Sequence, residues 1–158
     1  MKKRNILKLI LAILICHLAG FIGSLFTRPA IETWYASLNK PLFSPPNWLF
    51  APAWLALYTL MGIASYLIWK NGFKDQKVRC ATIIFYLHLF LNAIWSIAFF
   101  GAKSPLLALI IIFILWLLIL LLIKKFWPIN KTASYLLIPY VLWVSFAGIL
   151  NLSIWLLN

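Results

Sequence analysis

Acidic side chains are almost missing from this chain. Its 158 residues hold two, Glu32 and Asp75, against fourteen lysines and arginines. No two carboxylates share an apolar run, so carboxylate acid–base chemistry and proton-coupled pumping lack their usual parts. Charge of either sign accounts for only 10% of the residues, where an average soluble domain carries about 25%. Cysteine is equally sparse: Cys16 lies mid-run and Cys80 opens a later one, a placement that suggests neither a disulfide nor a metal site. The two histidines, His17 and His88, fall in separate runs without an acid or cysteine at ligand spacing. They read as hydrogen-bonding groups, and no metal is expected. The net charge of +12 does not point to nucleic acid, because the cations stand in short clusters between apolar runs. Lysines and arginines so placed are drawn to anionic headgroups, at about 1 kcal/mol each near the surface.

What the chain does have is apolar length. Hydrophobic residues make up 65% of it, the mean hydropathy is +1.01, and there are nine tryptophans. Proline, glycine and charge punctuate the sequence into five candidate membrane helices, at about residues 6–26, 46–69, 79–100, 106–123 and 133–157. The first is too long for a signal-peptide core and lacks a convincing cleavage site, so it reads as a retained span. It is expected to stop before Arg28-Pro29, and the second to start after Pro45-Pro46. The fold expected is an all-α integral membrane protein, a single five-transmembrane-helix bundle over residues 1–158, with a long loop at residues 27–45. If the N-terminus is inside, the inner segments carry Lys2, Lys3, Arg4, Lys8, Lys70, Lys74, Lys77, Arg79, Lys124, Lys125 and Lys131. The outer ones carry only Arg28, Lys40 and Lys103. That asymmetry puts the N-terminus on the basic, inner side.

Polar side chains at mid-depth normally face the bundle interior. The third span aligns His88, Asn92, Trp95 and Phe99 at steps of four, three and four. The fifth aligns Tyr140, Trp143, Ala147, Asn151 and Ile154, and the second Trp54, Tyr58, Gly62 and Tyr66. Three helices thus present aromatic faces, and two of those faces carry an asparagine. Asn92 and Asn151 have an ordinary reading as interhelical glue. Trp48, Trp69, Trp127 and Trp155 fall near span ends and read as interfacial anchors. Trp54, Trp95 and Trp143 are the better pocket candidates, since a flat apolar ligand gains by stacking on indole. In the first span, Ala19 with Gly23 and Gly20 with Ser24 make small-x-x-x-small pairs that read as packing devices. The fourth span is wholly apolar around Trp116 and is expected to face lipid or another protomer.

Four stretches carry a more specific pattern: residues 34–48 (WYASLNKPLFSPPNW), Ala51-Pro52-Ala53-Trp54 through Tyr58 and Gly62, Leu91-Asn92-Ala93-Ile94-Trp95 through Gly101, and Pro139-Tyr140 through Trp143, Phe146-Ala147, Leu150-Asn151 and Trp155. In this order they resemble the translocator protein family, also called tryptophan-rich sensory proteins or peripheral benzodiazepine receptors. The resemblance implies five transmembrane helices, usually a homodimer; which membrane holds the chain is left open between a bacterial envelope and a mitochondrial outer membrane. It also implies binding of porphyrins such as protoporphyrin IX between the helices, with no cofactor required. Carried over by motif, the pocket would use Trp54, Asn92, Trp95, Trp143 and Ala147, with Phe146 and Leu150 as apolar wall and Trp34, Tyr35 and Pro45 as roof. The family commonly has glutamine where His88 stands. Some members bind cholesterol, but the tyrosine and basic residue of that recognition pattern are missing after Leu150.

Three functions are consistent with this: a porphyrin-binding receptor or sensor, a passive or partner-driven carrier of such a ligand, and light-dependent porphyrin degradation through indole radicals. The first is the expectation taken forward. Asn92 would donate to a polar edge of the macrocycle, and Arg28 or Lys40 would meet a propionate at the outer mouth.

Overall fold

The computed structural model describes residues 3–158. Met1 and Lys2 lie outside the described residues, as do the side chains of Lys3 and Arg4, and with them the N-terminal share of the charge asymmetry. Five segments are long and apolar enough to cross a membrane: Asn5–Ile31, Asn47–Trp69, Gln76–Gly101, Pro105–Phe126 and Lys131–Leu157. Their outward faces are rows of leucine, isoleucine and phenylalanine, which only a lipid solvent makes tolerable.

Helix α1 runs Lys3–Ile31 and does not stop before Arg28-Pro29. Proline ends a helix by lacking an N–H and crowding the carbonyl four residues back. Here the helix has only two residues left to run, so little is lost. Thr33 Oγ1 donates to the Pro29 carbonyl at 2.8 Å, and Arg28 in the last turn suits the helix dipole. The connection that follows contains a short helix α2 (Trp34–Ser37) and a single 3-10 turn (Asn47–Leu49) leading into α3 (Phe50–Trp69).

Helix α4 (Gln76–Ser96) begins earlier than expected because Asp75 caps it, its carboxylate accepting from the Lys77 N–H at 2.8 Å. The chain then widens into a π-helical turn at Ile97–Gly101, closed by the Ala102 N–H on the Ile97 carbonyl at 2.8 Å. A Cβ at Gly101 would sit 2.9 Å from the Phe26 ring, so any other residue there would require that ring to shift. Helix α5 (Pro105–Phe126) starts with Ser104 as cap and Pro105 in the first turn. It continues through Lys124 and Lys125, which suit its C-terminal dipole and do not break it. The expected fifth span is two helices, α6 (Lys131–Tyr135) and α7 (Ile138–Leu157). The break falls at Leu136 and Leu137, which keep αR backbone; Pro139, in the first turn of α7, has no N–H to offer the Tyr135 carbonyl, so the helix cannot run through unbroken.

Helix α1 packs against α3, α4 and the π-turn, and α5 against α4 and α7. Close approach depends on small residues. A Cβ on Gly62 would fall 2.5 Å from the Ile13 Cα, and one on Gly23 3.0 Å from Ser96 Oγ; one on Gly20 would overlap the Tyr58 ring. The fourth span departs from expectation in part. One stripe of α5 (Ala108, Ile112, Leu115, Ile119, Leu122, Phe126) is buried in the bundle, while Ile110, Phe113, Leu117 and Leu120 on its other face are exposed. Trp116 turns inward, donating Nε1–H to Ser145 Oγ of α7 at 2.8 Å.

At the centre, the Tyr58 hydroxyl donates to Asn92 Oδ1 at 2.5 Å. The Asn92 amide donates in turn to the Tyr140 hydroxyl at 3.0 Å. The chain of bonds joins α3, α4 and α7. Replacing Asn92 with leucine should cost about 1–3 kcal/mol in a denaturant titration of the detergent-solubilised protein, because two buried hydroxyls lose their partner. Adding Tyr58→Phe and Tyr140→Phe should recover much of that loss; no recovery would refute the polar chain as its cause. The glycines should diverge in the same assay. Gly62→Ala should destabilise against the α1 backbone. Gly148→Ala, with nothing within 4 Å of its Cβ, should stabilise by about 0.5–1 kcal/mol from helix propensity alone.

Candidate functional site: an aromatic cavity beneath the first loop

The main concavity has a volume of about 630 Å³ and lies between α1, α3, α7 and the end of α4 with its π-turn. This is within the roughly 300–1,000 Å³ of ordinary small-molecule sites. Aromatic rings from α1, α3, α4, α7, the π-turn and the first loop make up much of its wall. Trp54 of α3 stacks on Tyr58 with centroids 5.4 Å apart and meets Tyr140 edge-on at 6.3 Å. Trp95 stacks on Phe99 at 5.5 Å, the ring that the π-turn swings into the cavity. Trp143 packs against Phe50 at 6.1 Å and Phe146 at 5.8 Å. Each such pair holds its rings by about 0.5–1.5 kcal/mol beyond simple burial, so the walls are formed before anything enters.

Two of the three indole nitrogens are accounted for within the protein. Trp95 Nε1 donates to Asn151 Oδ1 at 3.2 Å, and the Asn151 amide donates onward to the Pro105 carbonyl at 2.8 Å. Trp143 Nε1 is buried without a hydrogen-bond partner among the described residues, so Trp143 offers the cavity its ring. Polar groups collect at two levels. Midway along α1, His17 lines the cavity, and its Nε2 shares a half-buried hydrogen bond of 3.0 Å with Thr59 Oγ1. At the mouth, Ser24, Thr27, Arg28 and Asn47 join the lining, with the Arg28 side chain exposed.

The first loop forms the roof through α2. Tyr35 is 4% exposed and lies against Phe100 at 5.7 Å and Phe99 at 6.2 Å. Burial pushes its phenol pKa up, opposed by a hydrogen bond from Ser44. Lys40 covers the same ring at 4.5 Å and donates to the Tyr35 carbonyl at 2.9 Å. Farther along, the loop is tied to the end of α7. The Asn39 N–H donates to Asn158 Oδ1 at 3.0 Å, and the Asn158 amide donates to the Asn39 carbonyl at 3.0 Å.

Of the ten residues singled out from the sequence, Tyr35, Trp54, Trp95, Trp143, Ala147 and Leu150 line this cavity. Trp34, Pro45, Asn92 and Phe146 do not. Trp34 braces Phe99 edge-on at 5.5 Å, and Phe146 supports Trp143 and Phe43 from behind. Asn92 is committed to Tyr58 and Tyr140, so its amide is not presented to the cavity. His88 is fully buried, its Nδ1 against the Phe85 carbonyl and its ring against Tyr140. Sequence reasoning missed most of the α1 wall. His17, Gly20, Ser24, Thr27 and Ile31 all line the cavity. Their three- and four-residue spacing was the available signal, in a helix read only for its packing pairs.

Comparison with known proteins places this architecture. A family model described as TspO/MBR matches residues 12–156. The tryptophan-rich protein TspO of Archaeoglobus fulgidus is 48% identical over 155 residues, covering 98% of this chain and 99% of its own length. The protein CrtK of Rhodobacter capsulatus is 34% identical, with 90% and 88% covered. The human translocator protein is 34% identical, with 87% and 82% covered. The tryptophan-lined cavity thus stands in a multi-pass integral membrane protein, and the chain belongs to the TspO/MBR family.

Proposed function

We propose that this protein is a membrane receptor that holds a flat, lipophilic ligand of the tetrapyrrole type, such as protoporphyrin IX. The observation that carries the reading is the cavity of about 630 Å³ with the rings of Trp54, Trp95 and Trp143 in its wall and the Arg28 guanidinium at its mouth. A macrocycle entering edgewise would exchange lipid contact for ring contact while its carboxylates stay at the polar end. Arg28 suits that role because guanidinium pairs with carboxylate in a fork of two charge-assisted bonds. Asn92 is left out of ligand contact, and its part is to hold Tyr58 against the cavity floor. Family membership supports a receptor or sensor role over a metabolic one. Carriage of the same ligand is kept as the second reading, because the cavity is open on one side and α1 lies along it with exposed Phe21 and Leu25.

Titration of the detergent-purified protein with protoporphyrin IX, read by tryptophan quenching, tests this. Saturable quenching is expected in the wild type and should be lost in Trp143→Ala and Trp54→Ala. It should persist in Trp127→Phe, whose ring packs on Tyr135 away from the cavity. Linear quenching equal in all four proteins would mean partition into the micelle and would sink the assignment. Arg28→Gln should weaken the free acid by about tenfold, or about 1.4 kcal/mol, and leave the dimethyl ester unchanged. Equal weakening of both would remove Arg28 from carboxylate recognition.

A further inference from the structure

A second, smaller concavity of about 390 Å³ lies at the opposite end of the bundle, between the start of α4 and the end of α5. Its lining is Lys77 and Cys80 from α4, Leu121, Lys124 and Lys125 from α5, and Pro128 from the turn beyond. Three lysines line it, and no carboxylate does. The chain has only two acids. Asp75 has its carboxylate on the Lys77 backbone N–H, and Glu32 follows the far end of α1.

General enrichment of cations on one side of a membrane does not account for this arrangement. Lys124 and Lys125 stand in the last turn of α5, where positive charge offsets the helix dipole. Lys77 stands in the first turn of α4, where positive charge is unfavourable. The mutual repulsion of the three amines adds to that cost. An anion between the two helix ends would offset the mutual repulsion of the lysines that line the concavity. The other part of the rim is apolar. Leu121 and Pro128 border the amines, and Leu121 continues into the exposed row of Leu117 and Leu120 on the outer face of α5.

We propose that this pocket binds the phosphate of an anionic phospholipid headgroup, with acyl chains lying down the outer face of α5. The site is separate from the aromatic cavity and shares no lining residue with it. Basic pockets between transmembrane helices are suited to such headgroups, and three lysines here replace the waters a phosphate diester leaves behind.

The test uses the full chain in detergent with an equimolar mixture of phosphatidylglycerol and phosphatidylcholine, read by native mass spectrometry. The wild type should retain phosphatidylglycerol in preference by about tenfold or more. Lys77→Gln, Lys124→Gln and Lys125→Gln together should abolish the preference. All three side chains are exposed, so the fold should tolerate the change. Lys70→Gln, Lys74→Gln and Lys131→Gln together remove the same charge from residues outside the pocket and should leave the preference intact. Equal loss in the two triple variants would overturn the proposal in favour of diffuse surface charge, as would no preference in the wild type. Cys80 reports which phosphate source is used, since it lines the pocket half-buried while Cys16 is buried. Protection of Cys80 from N-ethylmaleimide by phosphatidylglycerol and not by inorganic phosphate would support the lipid. Protection by inorganic phosphate alone would overturn the lipid assignment and make the site one for a free anion.

Discussion

Tyr58, Asn92 and Tyr140 satisfy one another where no water is available to do it for them. In hydrocarbon an unpaired hydroxyl or amide keeps its full desolvation cost, so their two hydrogen bonds act as a positional constraint on three helices at once. α3, α4 and α7 can slide or rotate only by breaking them. The aromatic cavity inherits its shape from that constraint. Tyr58 supports Trp54, Tyr140 meets the same indole edge-on, and Asn92 lies three residues before Trp95 on its helix. Asn151 repeats the device one level up, tying Trp95 of α4 to α7 and to the start of α5. Trp54 and Trp95 are therefore each held by a neighbour that is itself held by a polar bond.

Much of this arrangement is legible in the amino-acid sequence. The number and order of spans follow from apolar length and from Pro45-Pro46, Lys70-Asn71-Gly72 and Ser104-Pro105, since these residues act locally whatever surrounds them. The aromatic stripes of α3, α4 and α7 follow from helical periodicity, and they do meet. What is not legible depends on how far a helix persists or on what lies across the interface. Pro29 looks like a terminator in sequence, yet it sits so close to the end of α1 that the lost hydrogen bond costs little. Pro139 looks harmless inside a long apolar run, yet it sets off α6 as a separate element. The π-turn at Ile97–Gly101 has no periodic signature, because one extra residue per turn is visible only once Phe99 and Phe100 are seen to face the cavity and Gly101 to meet Phe26.

Asn92 shows why residue type alone leaves a role open. A lone asparagine in an aromatic stripe fits a ligand contact and a structural bond equally well; only its distances to two tyrosines on other helices separate the two. The first helix teaches the converse. Its small and polar residues were sufficiently explained by packing, and Gly20 and Gly23 do pack. The same glycine that admits the Tyr58 ring also borders the cavity, because a helix that comes close at one point leaves a hollow beside it.

The paired asparagines at the loop and the end of α7 have a geometric consequence. The side chain of Asn158 bonds both the N–H and the C=O of Asn39, as a neighbouring strand would. The roof is thereby fastened to the far end of the helix that carries Trp143, so α7 serves as a ruler whose graduations are residues. At about 1.5 Å of rise and 100° of rotation per residue, adding or deleting one position between Trp143 and Asn158 would raise or lower the fastening point and swing it to another side of the bundle. The depth of the chamber is thus written in the length of one helix, and that stretch can change in composition far more freely than in count.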